Sequence, residues 1–165
     1  DWSLYTPFGY SISHYGKKTA VHMADNREVR GHFRPPKAAA CAKLYAQMMA
    51  SYDGYRIRDA HYYEAFWLPY QSCCGAQVLQ YEEAGKPLGY CSVYTQGDTC
   101  VVEEIVYADE DALLAMLTLL LREGKPLSVI SAIDAPIPGT SLQIPLAMMK
   151  HAPQMKEKRF LSECI

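Results

Sequence analysis

The stretch that most constrains the fold runs from Gly89 to Gly124, because it holds two strand patterns and an apolar helix pattern in direct succession. The first strand pattern, residues 89–95, is rich in aromatic and β-branched side chains, which suit a pleated, half-buried surface. Residues 96–98 (Gln-Gly-Asp) then predict a tight turn, since Gly97 can adopt positive φ. The stretch therefore predicts a hairpin that leads into a helix.

The second strand pattern, residues 99–108, loses its alternation at an acidic pair, Glu103 and Glu104. One extra residue in a strand produces such a slip, so the pair predicts a β-bulge. From Asp109 the pattern becomes helical, with Asp109 as the N-cap and Gly124 after the last turn. Leucines and a methionine cover most of the helix circumference, which indicates that the helix is covered on more than one side.

Further elements are predicted on both sides of this stretch. Strand patterns occupy residues 11–15, 19–23, 28–33, 76–82 and 127–132, and helix patterns occupy residues 37–51, 60–68 and 142–150. Asp59 can cap the second of these helices, and Pro69 predicts its end, because the residue before a proline avoids the helical region. The first three strand patterns have two interpretations: an antiparallel meander at a sheet edge, or the last strands of a preceding domain.

Composition excludes several classes of protein. The chain has 165 residues, of which 50% are hydrophobic and 21% charged, so it can bury a sizeable core. Its formal net charge of -2 argues against general nucleic-acid binding and against binding to a membrane surface. No signal peptide and no apolar run of roughly 20 residues is present, so we expect a cytoplasmic protein.

The cysteines and histidines form no metal-binding pattern. No two of the six cysteines are separated by two residues, and the five histidines fall in different predicted elements. Disulfide frameworks are mostly confined to small secreted domains, so buried or idle thiols are favoured. We therefore assign no metal ligands.

A family resemblance rests on the end of the bulged strand and the start of the helix. Residues 104–106 (Glu-Ile-Val), residues 108–112 (Ala-Asp-Glu-Asp-Ala) and the leucine-rich helix resemble the central part of GCN5-related N-acetyltransferases (GNAT). Within that superfamily they are most similar to the second acetyltransferase-like domain of the tandem enhanced-intracellular-survival family. Residues 4–10 and 55–59 resemble the end of that family's first domain and its linker.

The resemblance implies a fold and a domain organisation. The fold class is α/β (α+β), a GNAT-like mixed, mostly antiparallel sheet with helices on its faces. Residues 1–36 would be the terminal strands of a preceding acetyltransferase domain, and residues 37–165 a second GNAT-like domain. A missing N-terminal acetyltransferase half is the partner that this division implies.

The same resemblance implies acetyl transfer from acetyl-CoA to a primary amine by the parent protein. A pyrophosphate is held by backbone N–H groups at a helix start, where glycine permits close approach. This chain has no glycine there and carries Asp109, Glu110 and Asp111 instead. At an effective dielectric constant near 20, each like-charge pair at about 4 Å costs roughly 4 kcal/mol. We therefore expect no cofactor to bind this chain alone, as in the tandem family, whose first domain carries the cofactor.

Four residues are candidates for binding a small amine substrate. Glu103 or Glu104 could face a cleft from the bulged strand, and the ring faces of Tyr90 and Tyr94 could line it. A structural alternative is open: adjacent strand residues point to opposite faces, so that one glutamate is solvated and the other pairs with a lysine or arginine. The tyrosines have a similar alternative as core residues with satisfied hydroxyl groups. No catalytic residue is assigned.

Two functions follow from the sequence. In the first, the chain is part of a GNAT-family N-acetyltransferase and lacks the usual cofactor loop. In the alternative, it is a non-catalytic GNAT-like module for binding or oligomerisation, and its assembly into a homo-oligomer stays open. Whether the chain by itself is an enzyme is not decided by the sequence.

Overall fold

A computed structural model describes residues 7, 10–23, 26–50 and 55–150 of the chain, with the backbone alone for residues 10–14 and 147–150. Most of residues 4–10, which carry part of the family resemblance, lie outside the described residues. The described residues form seven strands and four α-helices. No helix among them is long and apolar enough to cross a lipid bilayer.

The strands are β1 (Tyr10–Val21), β2 (His32–Arg34), β3 (Gln77–Glu83), β4 (Lys86–Gln96), β5 (Thr99–Tyr107), β6 (Leu127–Ala132) and β7 (Gly139–Lys150). The helices are α1 (Ala38–Met49), α2 (Ala60–Tyr62), α3 (Leu68–Cys73) and α4 (Glu110–Leu121), with a π-helical turn, Tyr63–Trp67, joining α2 to α3. Asp59 and Asp109 cap α2 and α4 as predicted: their carboxylates accept hydrogen bonds from the N–H groups of Tyr62 and Ala112.

The seven strands form one sheet in the order β2-β3-β4-β5-β6-β1-β7. Every neighbouring pair is antiparallel except β5 and β6, which are parallel. A crossover helix is required between parallel neighbours, and α4 supplies it. The mixed, mostly antiparallel sheet confirms the predicted fold class.

Helices cover the two faces of this sheet with different side chains. On one face, α4 packs its leucines, alanines and a methionine against Cys91, Val102 and Ile105. The helix lies close to β4, because a Cβ atom at Gly89 would be 2.5 Å from the Met116 sulfur. On the other face, α1 and the helical segment from α2 to α3 pack tyrosines and a tryptophan against the sheet. We call these the α4 face and the aromatic face.

The predicted hairpin and bulge are confirmed. Gly97 has a φ of 58° in the turn between β4 and β5. Ser92 pairs with Glu104, whereas the next residue, Val93, pairs with Val102, so Glu103 is the extra residue of a bulge. The bulge resets the alternation of β5 at the acidic pair, as the sequence pattern indicated.

One predicted helix end and one predicted helix are wrong. The helical segment does not end before Pro69 but continues to Cys73, because the N–H of Leu68 bonds the carbonyl of Tyr63 in a π turn. The wider turn accommodates a residue that has no N–H for the helix. Residues 142–150 lie in β7 and not in a helix, although they contain Pro145. This strand is at the sheet edge, where a missing N–H can face away from the partner strand.

The three N-terminal strand patterns also differ from the prediction. A single strand, β1, covers the first pattern and residues 19–21 of the second, and it lies between β6 and β7. Most of the third pattern is not a strand, and the short β2 pairs with β3 at the opposite edge. A local meander is therefore wrong, since β1 finds its partners more than a hundred residues away. The division of the chain at residue 36 is not tested by this pairing and stays a prediction.

Candidate functional site

The bulge in β5 determines which way Glu104 points. Val102 and Ile105 both pack on the α4 face, while Val106 packs on the aromatic face. If β5 alternated strictly through residue 103, Glu104 would lie on the same face as Val102, two residues earlier. The bulge instead turns Glu104 toward the aromatic face, beside Tyr90 of β4.

The Glu104 carboxylate belongs to a network of hydrogen-bonded side chains. Nη1 of Arg58 donates to Oε1 at 2.9 Å and to Oε2 at 2.8 Å. The Tyr90 hydroxyl donates to Oε1 at 2.8 Å and lies 2.7 Å from the Tyr63 hydroxyl. Since Tyr90 has one hydroxyl proton, Tyr63 is the donor between the two tyrosines. Arg58, Glu104, Tyr90 and Tyr63 are therefore joined by consecutive hydrogen bonds.

Two further tyrosine rings surround the Arg58 guanidinium. Its central carbon lies 4.4 Å from the ring centroid of Tyr45 and 5.9 Å from that of Tyr62. A cation over an aromatic face is attracted by the ring quadrupole, most strongly where water is partly excluded. We call the six residues of this arrangement the Glu104 cluster: Glu104, Arg58, Tyr90, Tyr63, Tyr45 and Tyr62.

The tyrosines of the cluster stay neutral, and its arginine stays charged. Burial raises the pKa of Tyr63 to about 12. Burial, together with the nearby Glu104 charge, raises the pKa of Tyr90 well above its usual value. Burial by itself lowers the pKa of Arg58, but attraction to Glu104 exceeds that effect and holds the pKa above its usual value. Fixed donors therefore hold the Glu104 carboxylate, and neither Tyr63 nor Tyr90 can serve as a base near neutral pH.

The four predicted site residues do not all meet in the structure. Glu104 and Tyr90 are in direct contact, whereas Glu103 is exposed on the bulge. Tyr94 is half-buried farther along β4. A solvated Glu103 and an arginine-paired Glu104 are the arrangement that the structural alternative described. The role of these four residues in substrate binding stays a prediction.

Sequence reasoning did not assign Arg58 to the site. Residues 55–59 carried part of the family resemblance, but no local pattern relates Arg58 to a glutamate 46 positions later. Tyr63 and Tyr45 were treated as members of helix patterns for the same reason. The sequence shows only that Arg58 directly precedes the predicted cap, Asp59. Its burial, and with it the need for an anionic partner, is visible in the structure alone.

The start of α4 is the second place of interest, because it follows the carboxyl end of β5. Pairing between the parallel strands β5 and β6 covers three residues and ends at Val102, directly before the bulge. Crevices at the carboxyl ends of parallel strands are common ligand sites. Here, however, the Asp109 carboxylate accepts the Ala112 N–H at 2.8 Å, and Asp111 pairs with Arg27.

A cavity of about 450 Å³ lies beside this helix start. Its lining includes four carboxylates, Glu28, Glu83, Asp109 and Asp111, against the two guanidinium groups of Arg27 and Arg30. The wall is therefore net negative, and one of the two arginines is already paired with Asp111. A pyrophosphate does not fit such a wall, because each added like charge opposes it.

Among the residues that the structure describes, the cysteine, histidine and carboxylate side chains provide no metal site. Cys41, Cys73, Cys74, Cys91 and Cys100 are free thiols, and the first and fourth of them are buried. Within the described ranges, no group of three or more histidine, cysteine, aspartate or glutamate side chains could hold a metal ion.

Solved structures with the same fold are found at low sequence identity. A probable N-acyltransferase from Enterococcus faecalis, a conserved protein of unknown function, has a TM-score of 0.64 and 16% identity over 90% of this chain and 42% of its own. A GCN5-related N-acetyltransferase from Anabaena variabilis has a TM-score of 0.53 and 16% identity over 90% and 42% of the two chains. Eis1 from Mycobacterium abscessus has a TM-score of 0.53 and 13% identity over 87% and 44%.

The chain therefore has the GNAT fold, which confirms the predicted resemblance at the level of the fold. It spans less than half the length of these three proteins. No protein-family model and no curated protein matches its sequence.

Proposed function

We propose that this chain is the part of a GNAT-type N-acetyltransferase that does not hold acetyl-CoA and that helps to form the cleft for a primary amine. The observation that carries the proposal is the start of α4. The Asp109 carboxylate accepts a hydrogen bond from the Ala112 N–H, one of the first N–H groups of the helix. Glu110 and Asp111 add negative charge in the first turn. Those N–H groups and that positive helix end are what a pyrophosphate would need.

The structural neighbours support the choice of reaction. Two of them are named for acyl or acetyl transfer, and this chain matches them over 90% of its length. Because the chain covers only 42% of each, a cofactor site in another part of a longer protein is consistent with the likeness. In this proposal the cofactor is acetyl-CoA, and it is bound outside residues 1–165.

The amine side of the proposal rests on the Glu104 cluster. A carboxylate, a phenol hydroxyl and aromatic faces are the groups that bind an organic cation. Glu104, Tyr90 and Tyr45 supply all three within one cluster. We assign these residues to binding and positioning, and we assign no catalytic residue.

Isothermal titration with acetyl-CoA tests the cofactor part. We expect no binding by the wild-type chain, because the helix start is acidic and already capped. A variant with Asp109→Ser, Glu110→Gln and Asp111→Asn keeps a capping side chain but removes the three charges. Its affinity for acetyl-CoA should therefore exceed that of the wild-type chain. Glu123→Gln, which neutralises a charge beyond the other end of α4, is the matched control. Micromolar binding by the wild-type chain would show that the proposal is wrong.

A second function, an oligomerisation module, is favoured by the edge strand β7. Leu142 and Leu146 lie on this strand with 69% and 49% of their surfaces exposed. Ile133, just after β6, is also exposed. A long edge strand with apolar side chains is a ready surface for pairing with another chain.

Sedimentation velocity at several protein concentrations separates the two functions. If β7 is an interface, the wild-type chain should form dimers at high concentration, and Leu142→Lys should prevent this. Ile57→Lys, at a position that is 85% exposed and not in the sheet, is the control. A wild-type chain that stays monomeric at every concentration would rule out self-association through β7.

A further inference from the structure

Among the described residues, side-chain contacts hold the segment that brings Arg58 to the Glu104 cluster. Residues 55–58 belong to no helix or strand, and they make no backbone–backbone hydrogen bond to another described residue. The segment is held by the Tyr55–Tyr45 ring contact, by Arg56 over the Tyr62 ring and by Arg58 itself. Withdrawal of the segment would therefore break side-chain contacts but few backbone hydrogen bonds.

The fit of Arg58 to Glu104 is incomplete. One nitrogen, Nη1, contacts both carboxylate oxygens, whereas the strongest arginine–carboxylate pairs use two nitrogens in parallel. The Nε atom of Arg58 is buried and has no hydrogen-bond partner among the described residues. A buried donor without a partner costs free energy, so the arginine is not an ideal occupant of its own surroundings.

The surroundings without Arg58 would suit a cation from outside. Glu104 provides a carboxylate, Tyr90 fixes one of its oxygens, and the Tyr45 and Tyr62 rings face the position of the guanidinium. A single nitrogen between both carboxylate oxygens is also the contact that a primary ammonium group would make. The Arg58 and Glu104 side chains are 18% and 23% exposed, so the position can be reached from solvent.

We propose that the Glu104 cluster is a binding site for the head group of an alkylammonium or alkylguanidinium compound, and that Arg58 is its internal occupant, which withdraws with residues 55–58 when the compound binds. The inference rests on the part of the proposed function that assigns Glu104 to the amine. It adds how access to that site is controlled: an external cation must compete with an arginine of the same chain.

The test compares Arg58→Ala with the wild-type chain and with Arg56→Ala. Arg56 is the matched control, because it also lies over Tyr62 but has no contact with Glu104. The probes are ethylammonium and N-ethylguanidinium, with the neutral N-ethylurea as the control compound. Binding is measured by NMR titration of chains whose folding has been verified by circular dichroism. Arg58→Met, which keeps the apolar stem, replaces Arg58→Ala if the alanine variant is unfolded.

We expect Arg58→Ala to bind one or both cations about tenfold more tightly than the wild-type chain, since a tethered ligand competes at an effective concentration of about 1 mM or more. Arg56→Ala should bind like the wild type, and N-ethylurea should not bind. Adding Glu104→Gln to Arg58→Ala should abolish the gain. Comparison of the two cations shows which head group the site prefers.

Two results would overturn the inference in different ways. The wild type and both arginine variants could bind the cations with equal affinity and lose that binding when Glu104 is replaced. This result would show that Arg58 does not compete for the site, while the amine role of Glu104 would stand. No binding of either cation by a folded Arg58 variant would overturn the inference together with that amine role. The titration with acetyl-CoA reports separately on the cofactor part of the proposed function.

Discussion

The two faces of the sheet are stabilised in different ways. On the α4 face, apolar side chains such as leucine, valine and methionine make up the buried cluster. On the aromatic face, Tyr63 and Tyr90 are equally buried, yet their hydroxyl groups connect to Glu104 and Arg58. Apolar packing depends on volume and tolerates compensating changes, whereas a buried polar network requires every partner in place. The face with the stricter requirement is also the face that carries the Glu104 cluster.

Leu113→Ala should have the largest effect on stability, because it opens a cavity on the α4 face. Leu113 is fully buried in the first turn of α4, and such truncations cost about 3 kcal/mol. Chemical denaturation followed by circular dichroism measures the change in the free energy of unfolding. Leu142→Ala makes the same chemical change at an exposed position and should shift it by less than about 0.5 kcal/mol. Equal effects of the two would mean that α4 does not form the main apolar core.

Glu104→Ala should have the next largest effect, because it leaves the Arg58 charge without its partner. Loss of one member of a fully buried ion pair costs more, but this pair is partly exposed, so we expect about 2 kcal/mol. Glu103→Ala removes the neighbouring carboxylate, which is exposed, and should change the free energy of unfolding little. If Glu103→Ala is the more damaging of the two, the bulge does not direct Glu104 to the aromatic face.

Tyr90→Phe should have a smaller effect, since it keeps the ring and removes only the hydroxyl. That hydroxyl joins Tyr63 to Glu104, and its loss should cost about 1 kcal/mol. Tyr94→Phe, four residues farther along β4, is the matched control and should be nearly neutral. A double variant with Glu104→Ala should cost less than the sum of the two single changes, because the residues share one network. Strict additivity would contradict a shared network.

Thiol labelling compares the two faces without changing their stability. Burial, with a smaller effect of the nearby Glu104 charge, raises the pKa of Cys41 on the aromatic face to about 12, and burial also raises the pKa of Cys91 on the α4 face. A raised pKa leaves less reactive thiolate near neutral pH, so both thiols should react far more slowly than the exposed Cys73 and Cys74.

The order of the two slow thiols is the sharper part of this prediction. Cys41 lies in the outer helix α1, whereas Cys91 lies in β4 in the middle of the sheet. Outer elements open locally more often than central strands, so Cys41 should be labelled before Cys91. Peptide mass spectrometry over time gives both rates. Earlier labelling of Cys91 would show that the α4 face is the less stable one.

Sequence patterns predicted the elements whose signals are local. The turn at Gly97, the bulge at the acidic pair and the cap at Asp109 each depend on residues within one strand or one helical turn. The same patterns failed at Pro69 and Pro145, where a π turn and an edge position accommodate proline. Those accommodations depend on neighbouring backbone that a proline signal does not include.

By itself, the amino-acid sequence determined the hairpin, the bulge that places Glu104, and the acidic start of α4. Each of these follows from steric and hydrogen-bonding preferences that act over a few residues. Only the tertiary structure decided that β1 lies between β6 and β7, and that Arg58 fills the space beside Glu104. Strand order and long-range ion pairs depend on which distant segments of the chain meet in the folded sheet. No local preference encodes that choice.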